Sequence, residues 1–119
     1  MTHSTGPLAI PQTYLADLDE GSIVNNSTAD IWFEAVNPTD FYITPRNGAR
    51  LWVGDGSNRG YDGCSSGGSY SSSRVSFDDL PIGTYVCVKT NGGHYSQFRM
   101  NSISGGYPKT LTIGYTTWE

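Results

Sequence analysis

Lys109-Thr110-Leu111-Thr112-Ile113-Gly114-Tyr115-Thr116-Thr117-Trp118 alternates large apolar with small or polar residues along most of its length. Successive side chains of an extended chain point to opposite faces, so Leu111, Ile113 and Tyr115 share one side of a strand. β-branched and aromatic residues suit that pleated surface. Working outward from this segment, the same period recurs. Ile31, Phe33 and Ala35 oppose Asp30, Trp32 and Glu34; Leu51 and Val53 oppose Trp52; Phe98 and Met100 oppose Gln97 and Arg99. If the aliphatic faces form the core, Trp32 and Trp52 point away from it.

Strand-like runs lie at Leu8–Leu18, Ala29–Val36, Phe41–Thr44, Ala49–Val53, Arg74–Phe77, Thr84–Thr90, Tyr95–Ile103 and Lys109–Trp118. Between them stand turn formers: Asn37-Pro38-Thr39-Asp40, Pro45-Arg46-Asn47-Gly48 and Asn91-Gly92-Gly93. These residues tolerate tight or left-handed backbone. The pattern predicts an all-β fold, an antiparallel β-sandwich of jelly-roll or immunoglobulin-like type with about eight short strands. No repeat or linker divides the chain, and 119 residues suit one domain, 1–119. Residues 1–6 are expected to be flexible, and the Gly/Ser-rich stretch 56–73 to be a long loop.

Only 15% of the residues are charged, against roughly 25% in average soluble proteins. The net charge of -4, with Lys89 and Lys109 the two lysines, provides no basic stripe for a phosphate backbone. Nucleic acid is therefore not the expected partner. No apolar run approaches the roughly 20 residues that span a bilayer, so membrane insertion is not expected either. Cys64 and Cys87 are separated by 22 residues in a loop-rich chain. They suit a disulfide, which would tie the long loop to a strand and imply an oxidising compartment. Two unpaired buried thiols are the alternative.

Asp79-Leu80-Pro81-Ile82-Gly83-Thr84-Tyr85-Val86-Cys87 resembles the tyrosine corner of immunoglobulin-like sandwiches, where a Tyr two residues before a Cys bonds back to the backbone. The spacing of Cys64 and the lack of a Trp between the cysteines depart from the antibody pattern. Several segments together resemble small β modules appended to bacterial secreted and cell-surface proteins. They are Ile10–Tyr14, Asp17-Leu18-Asp19, Ala29–Ala35, Gly83–Asn91, Ser96–Arg99 and Leu111–Trp118. The resemblance implies an extracellular or cell-surface location. A surface protein needs a leader, so Met1 is expected to begin an excised domain whose leader or anchor is missing. It implies no assigned activity.

Catalysis is not expected. His94 follows Gly92-Gly93 in a turn, His3 lies near the N-terminus, and the serines occupy glycine-rich loop without a nucleophile elbow. No cofactor is required on this reading, but calcium is a candidate, because hard cations take carboxylate oxygens. Asp17 and Asp19 share one side of an extended run, and Asp30 can approach from a neighbouring strand. Asp55–Asp62 begins like a calcium loop, with Arg59 where a ligand belongs. Trp32, Trp52, Tyr61 and Tyr95 are candidate ligand-binding residues, since flat rings with polar edges suit sugar faces and protein hot spots. Asn25 and Asn26 head overlapping glycosylation sequons. Three roles follow as expectations: a secreted or cell-surface module binding a glycan or protein partner, a subunit assembling with copies of itself into a fibre by donating Pro7–Leu18, and a calcium-stabilised accessory domain of a secreted enzyme.

Overall fold

The computed structural model describes residues 2–25, 28–36, 40–53, 56–66, 69–105 and 109–118. Among these lie β1 (Thr2–Pro11), β2 (Leu15–Asp17), β3 (Ser22–Val24), β4 (Ile31–Ala35), β5 (Phe41–Pro45) and β6 (Arg50–Trp52). They are followed by α1 (Gly60–Ser66), β7 (Val75–Ser76), a 3-10 helix (Phe77–Asp79), β8 (Tyr85–Lys89), β9 (Tyr95–Ser104) and β10 (Thr110–Trp118). The strands form two five-stranded antiparallel sheets, ordered β1-β10-β9-β8-β6 and β3-β2-β4-β5-β7. The all-β sandwich expected from the alternation is therefore present.

The inward faces are those the period of two assigned. Leu111, Ile113 and Tyr115, with Phe98, Met100, Val86, Val88 and Leu51 from the first sheet, pack on Ile31, Phe33, Phe41 and Ile43 from the second. Each fully buried side chain of this kind contributes roughly 1.5–3 kcal/mol. Val53 and Ala35 are only half-buried at the rim of the same cluster.

Where the structure departs from the alternation, a local interaction explains it. The run Leu8–Leu18 is two strands in different sheets. Thr13 adopts a left-handed φ of 75°, which a β-branched residue rarely signals in sequence. Its N–H donates to the Phe33 carbonyl at 2.9 Å, and the chain crosses between the sheets there. Residues 2–6, expected to be flexible, instead pair with the far end of β10, with Thr5 opposite Thr116. Strand β10 is long enough to offer them a ladder.

The expected loop 56–73 contains α1, and Ser71 bridges to Leu51. The strand expected at Arg74–Phe77 shortens to two residues. Ser76 then caps the 3-10 helix by accepting the Asp78 N–H at 3.1 Å. Strand β3 was not signalled and pairs with β2. The Asn47-Gly48 turn is formed, with left-handed φ of 57° and 91° and an Ala49 N–H to Arg46 carbonyl bond. Residues 37–39 of the neighbouring turn signal lie outside the described residues, as do Asn26, Ser27 and Asp55.

Cys64 of α1 and Cys87 of β8 form a disulfide with a Cα–Cα separation of 5.5 Å. The bond pins α1 to the solvent-side face of the first sheet, which explains why Gln97, outward by period, is only 8% exposed. Gln97 accepts the Arg59 N–H at 2.8 Å and donates to the Asn58 carboxamide oxygen at 2.8 Å. Among the described residues no helix is long and apolar enough to cross a membrane. Replacing both cysteines by alanine is expected to lower stability by about 3 kcal/mol, the entropy of the opened loop. Urea unfolding of the oxidised, reduced and double-alanine forms checks this, and coincident curves would reject it.

Candidate functional site

The solvent-side face of the first sheet is a register problem with a definite answer. Trp52 lies opposite Cys87, Cys87 opposite Gln97, and Gln97 opposite Thr116. One step along the strands, Arg50 lies opposite Lys89, Lys89 opposite Tyr95, and Tyr95 opposite Trp118. The face thus carries aromatic rings from β6, β9 and β10. The disulfide-anchored segment adds Tyr61 from α1 and Tyr70 beyond it.

Together these rings form a continuous line. Trp52 to Tyr70 is 5.9 Å between centroids, Tyr70 to Tyr95 6.0 Å, Tyr95 to Tyr61 6.3 Å and Tyr61 to Trp118 5.8 Å. All are tilted or edge-on contacts, the geometry that ring quadrupoles favour. Tyr61 is 42% exposed, and the others are half-buried. The Arg59 guanidinium sits 4.3 Å from the Trp52 ring and donates to the Val53 carbonyl at 2.7 Å, so that end of the line is covered. Burial pushes the Tyr70 hydroxyl up to about 12, with Tyr95 adding and Arg59 opposing. The hydroxyl donates to the Cys64 carbonyl at 2.7 Å, which locks the ring in place.

A cleft opens on either flank of the line. One, of about 440 Å³, is lined by Trp118, Tyr85, Gln97 and Asn58. The other, of about 520 Å³, is lined by Tyr70, Tyr95, Arg50, Lys89 and the turns at Asn47 and Asn91. Tyr85, from the segment that resembles a tyrosine corner, lines the first cleft.

Three of the four aromatic candidates, Trp52, Tyr61 and Tyr95, are therefore brought together. Trp32 is not. It lies on the other sheet, where its indole N–H donates to the Thr13 carbonyl at 2.9 Å and Arg46 lies 5.1 Å from its ring. That bond ties the indole to the crossing between the sheets at Thr13. Tyr70 and Trp118 were missed. The period of two already placed Trp118 opposite Tyr115, whereas Tyr70 stands in a Gly/Ser stretch whose course no local signal fixes.

Asp17, Asp19 and Asp30 also meet, with carboxylate oxygens within 4.8 Å of one another. Protein donors already serve them. Asp30 accepts the Leu18 N–H at 2.7 Å and the Asn91 N–H at 2.9 Å. Asp17 accepts from Asp19 and Glu20, and Asp19 takes the Thr90 hydroxyl at 2.9 Å and lies 2.7 Å from the His94 imidazole. The second proposed calcium loop includes Asp55, which lies outside the described residues, and its Arg59 stacks on Trp52. In comparisons with known proteins, no family model, no curated protein and no solved structure matches the chain.

Burial pushes the Asp30 carboxyl from 3.8 to about 6, against the two N–H donors and with help from Asp19 and Asp17. The unfolded chain loses this proton near pH 3.8 while the folded chain keeps it to about 6. Stability from this group is thus full below pH 3.8, declines as pH rises toward 6 and is lost above it. The slope approaches about 1.4 kcal/mol per pH unit inside that window. Unfolding free energies across that window, taken as wild type minus Asp30→Asn in the presence of chelator, are expected to show this decline. A flat difference would contradict it.

Proposed function

We propose that the chain is a non-catalytic glycan-binding module that works outside the cytoplasm. The observation that supports this most is the unbroken line of five rings on one sheet face, flanked by two clefts with polar and aromatic walls. Sugar rings present apolar C–H faces and polar edges, so a row of aromatic rings bounded by amide, hydroxyl and charged groups matches an extended saccharide chain. Successive ring spacings near 6 Å suit contact with consecutive sugar units. The disulfide holds two of the five rings in register with the sheet, which limits the entropy lost on binding. It also supports an oxidising, extracellular or cell-surface setting.

The fibre alternative draws less support. Its candidate donor, Pro7–Leu18, is divided between the two sheets of its own chain, with Leu8 opposite Ile113 and Leu15 opposite Trp32. The acidic cluster favours a second reading, in which calcium on Asp17, Asp19 and Asp30 stabilises an accessory domain of a secreted enzyme. Calcium there would draw Asp30 down toward the ordinary carboxylate range, so millimolar calcium should remove the decline in stability between pH 3.8 and 6.

Oligosaccharide titrations followed by intrinsic fluorescence and calorimetry test the main proposal. A binding sugar should perturb Trp118, and Tyr95→Ala and Trp118→Ala should each weaken affinity by about tenfold or more, the loss of one stacking anchor. Trp32→Ala should leave affinity unchanged while lowering stability. Equal affinity in all three variants, or no saccharide bound at millimolar concentration, would reject the proposal.

A further inference from the structure

Arg50 and Lys89 are directly opposite partners in the antiparallel pair β6–β8, where facing Cβ atoms lie roughly 5 Å apart. Their neighbours Leu51 and Val88 point into the core, so both cations project from the same solvent-side face, and both are exposed. Like charges directly opposite each other in a ladder are destabilising. The chain is acidic, with eleven carboxylate residues against seven Lys and Arg, yet among the described residues no acid lines the cleft these two cations share. Elsewhere a partner is supplied, as where Arg74 pairs with Glu34 at 3.1 Å. Among the described residues neither Arg50 nor Lys89 has an ion pair; Lys89 leans instead over the Tyr95 ring at 5.8 Å.

The two cations therefore form one wall of the 520 Å³ cleft, and Tyr95 and Tyr70, links in the aromatic line, form another. A sugar unit stacked on Tyr95 would present its ring substituents to Arg50 and Lys89. A guanidinium offers a planar fork that pairs with an oxyanion in two parallel hydrogen bonds, and an ammonium adds a point charge. An oxyanion placed between them would turn the repulsion of the pair into attraction.

We propose that this cleft is the subsite for an anionic sugar unit, whose carboxylate or sulfate oxygens sit between Arg50 and Lys89 while its ring rests on Tyr95. The assignment rests on the glycan-binding reading and adds the chemical class of the ligand. The cleft beside Trp118 and Asn58, whose described lining residues include no cation, then takes the saccharide's next units without regard to charge.

The test uses the intact oxidised protein and three probes measured by calorimetry: trigalacturonic acid, its neutral methyl ester, and a sulfated galactan oligosaccharide. One or both anionic probes should bind at least about tenfold more tightly than the ester, and the preference should shrink as salt screens the charges. The two anions separate carboxylate from sulfate. Arg50→Gln and Lys89→Gln should each reduce the preference, and the double variant should bind acid and ester alike. Because both side chains are exposed and repel each other, these variants should fold with unchanged or raised melting temperature. Trp118→Ala should weaken all bound probes equally. Failure of both anionic probes to bind the wild type more tightly than the ester, or a preference surviving in the double variant, would overturn the anionic subsite while leaving the glycan reading intact. No binding of any probe would overturn both.

Discussion

The buried carboxylate of Asp30 is the constraint on which the arrangement of the two sheets turns. It precedes β4 in one sheet, yet one of its oxygens accepts from Leu18 after β2 and the other from Asn91 in the β8–β9 turn of the opposite sheet. A charge with no exposure is costly unless hydrogen-bonded, and here both oxygens are. The Asn91 side chain and the Asn47 side chain both donate to the Ala29 carbonyl, and Thr117 donates to the Leu18 carbonyl, so the same corner gathers both sheets. Hydrophobic contact alone would allow the sheets to slide. This polar knot fixes their relative register, and with it the position of the hairpin that carries Lys89 and Tyr95.

The disulfide extends that order by one layer. An antiparallel sheet commonly leaves one face to water, but here α1 and the segments around it cover part of the outer face. The consequence is a second, smaller interior. Gln97 and Cys87 are buried there although period places them outward, and Trp52 is half-covered by Arg59 and Tyr70. Burial in this layer is polar and paired rather than aliphatic.

Much of this was legible in sequence, unevenly so. The alternation in β4, β9 and β10 fixed which side chains are core, because a one-residue slip would have put Phe33, Phe98 and Ile113 in water. The Asn47-Gly48 turn was legible from residue type, and so was the approach of Asp30 to Asp17 and Asp19. The crossing at Thr13 was not, since its left-handed backbone is held by Phe33 and Trp32, residues about twenty positions away. Nor was α1, whose glycines and serines have low helix propensity and whose place is set by the disulfide and Gln97. The aromatic line depends on that segment, so its members from the sheet could be named while Tyr70 could not.

Sequences that specify a fold keep local choices consistent with the global structure, and exceptions mark strain or function. Three exceptions stand out, and two are answered within the chain. The buried acid Asp30 is met by two N–H donors, and the left-handed Thr13 is met by the Phe33 carbonyl and the Trp32 indole. The third is the facing pair Arg50 and Lys89, which no acid in the cleft balances among the described residues. Both side chains are exposed, at the rim of the aromatic line rather than in the core. Two facing cations beside half-buried rings, with no acid in their cleft among the described residues, separate this face from the equally polar, internally satisfied corner around Asp30.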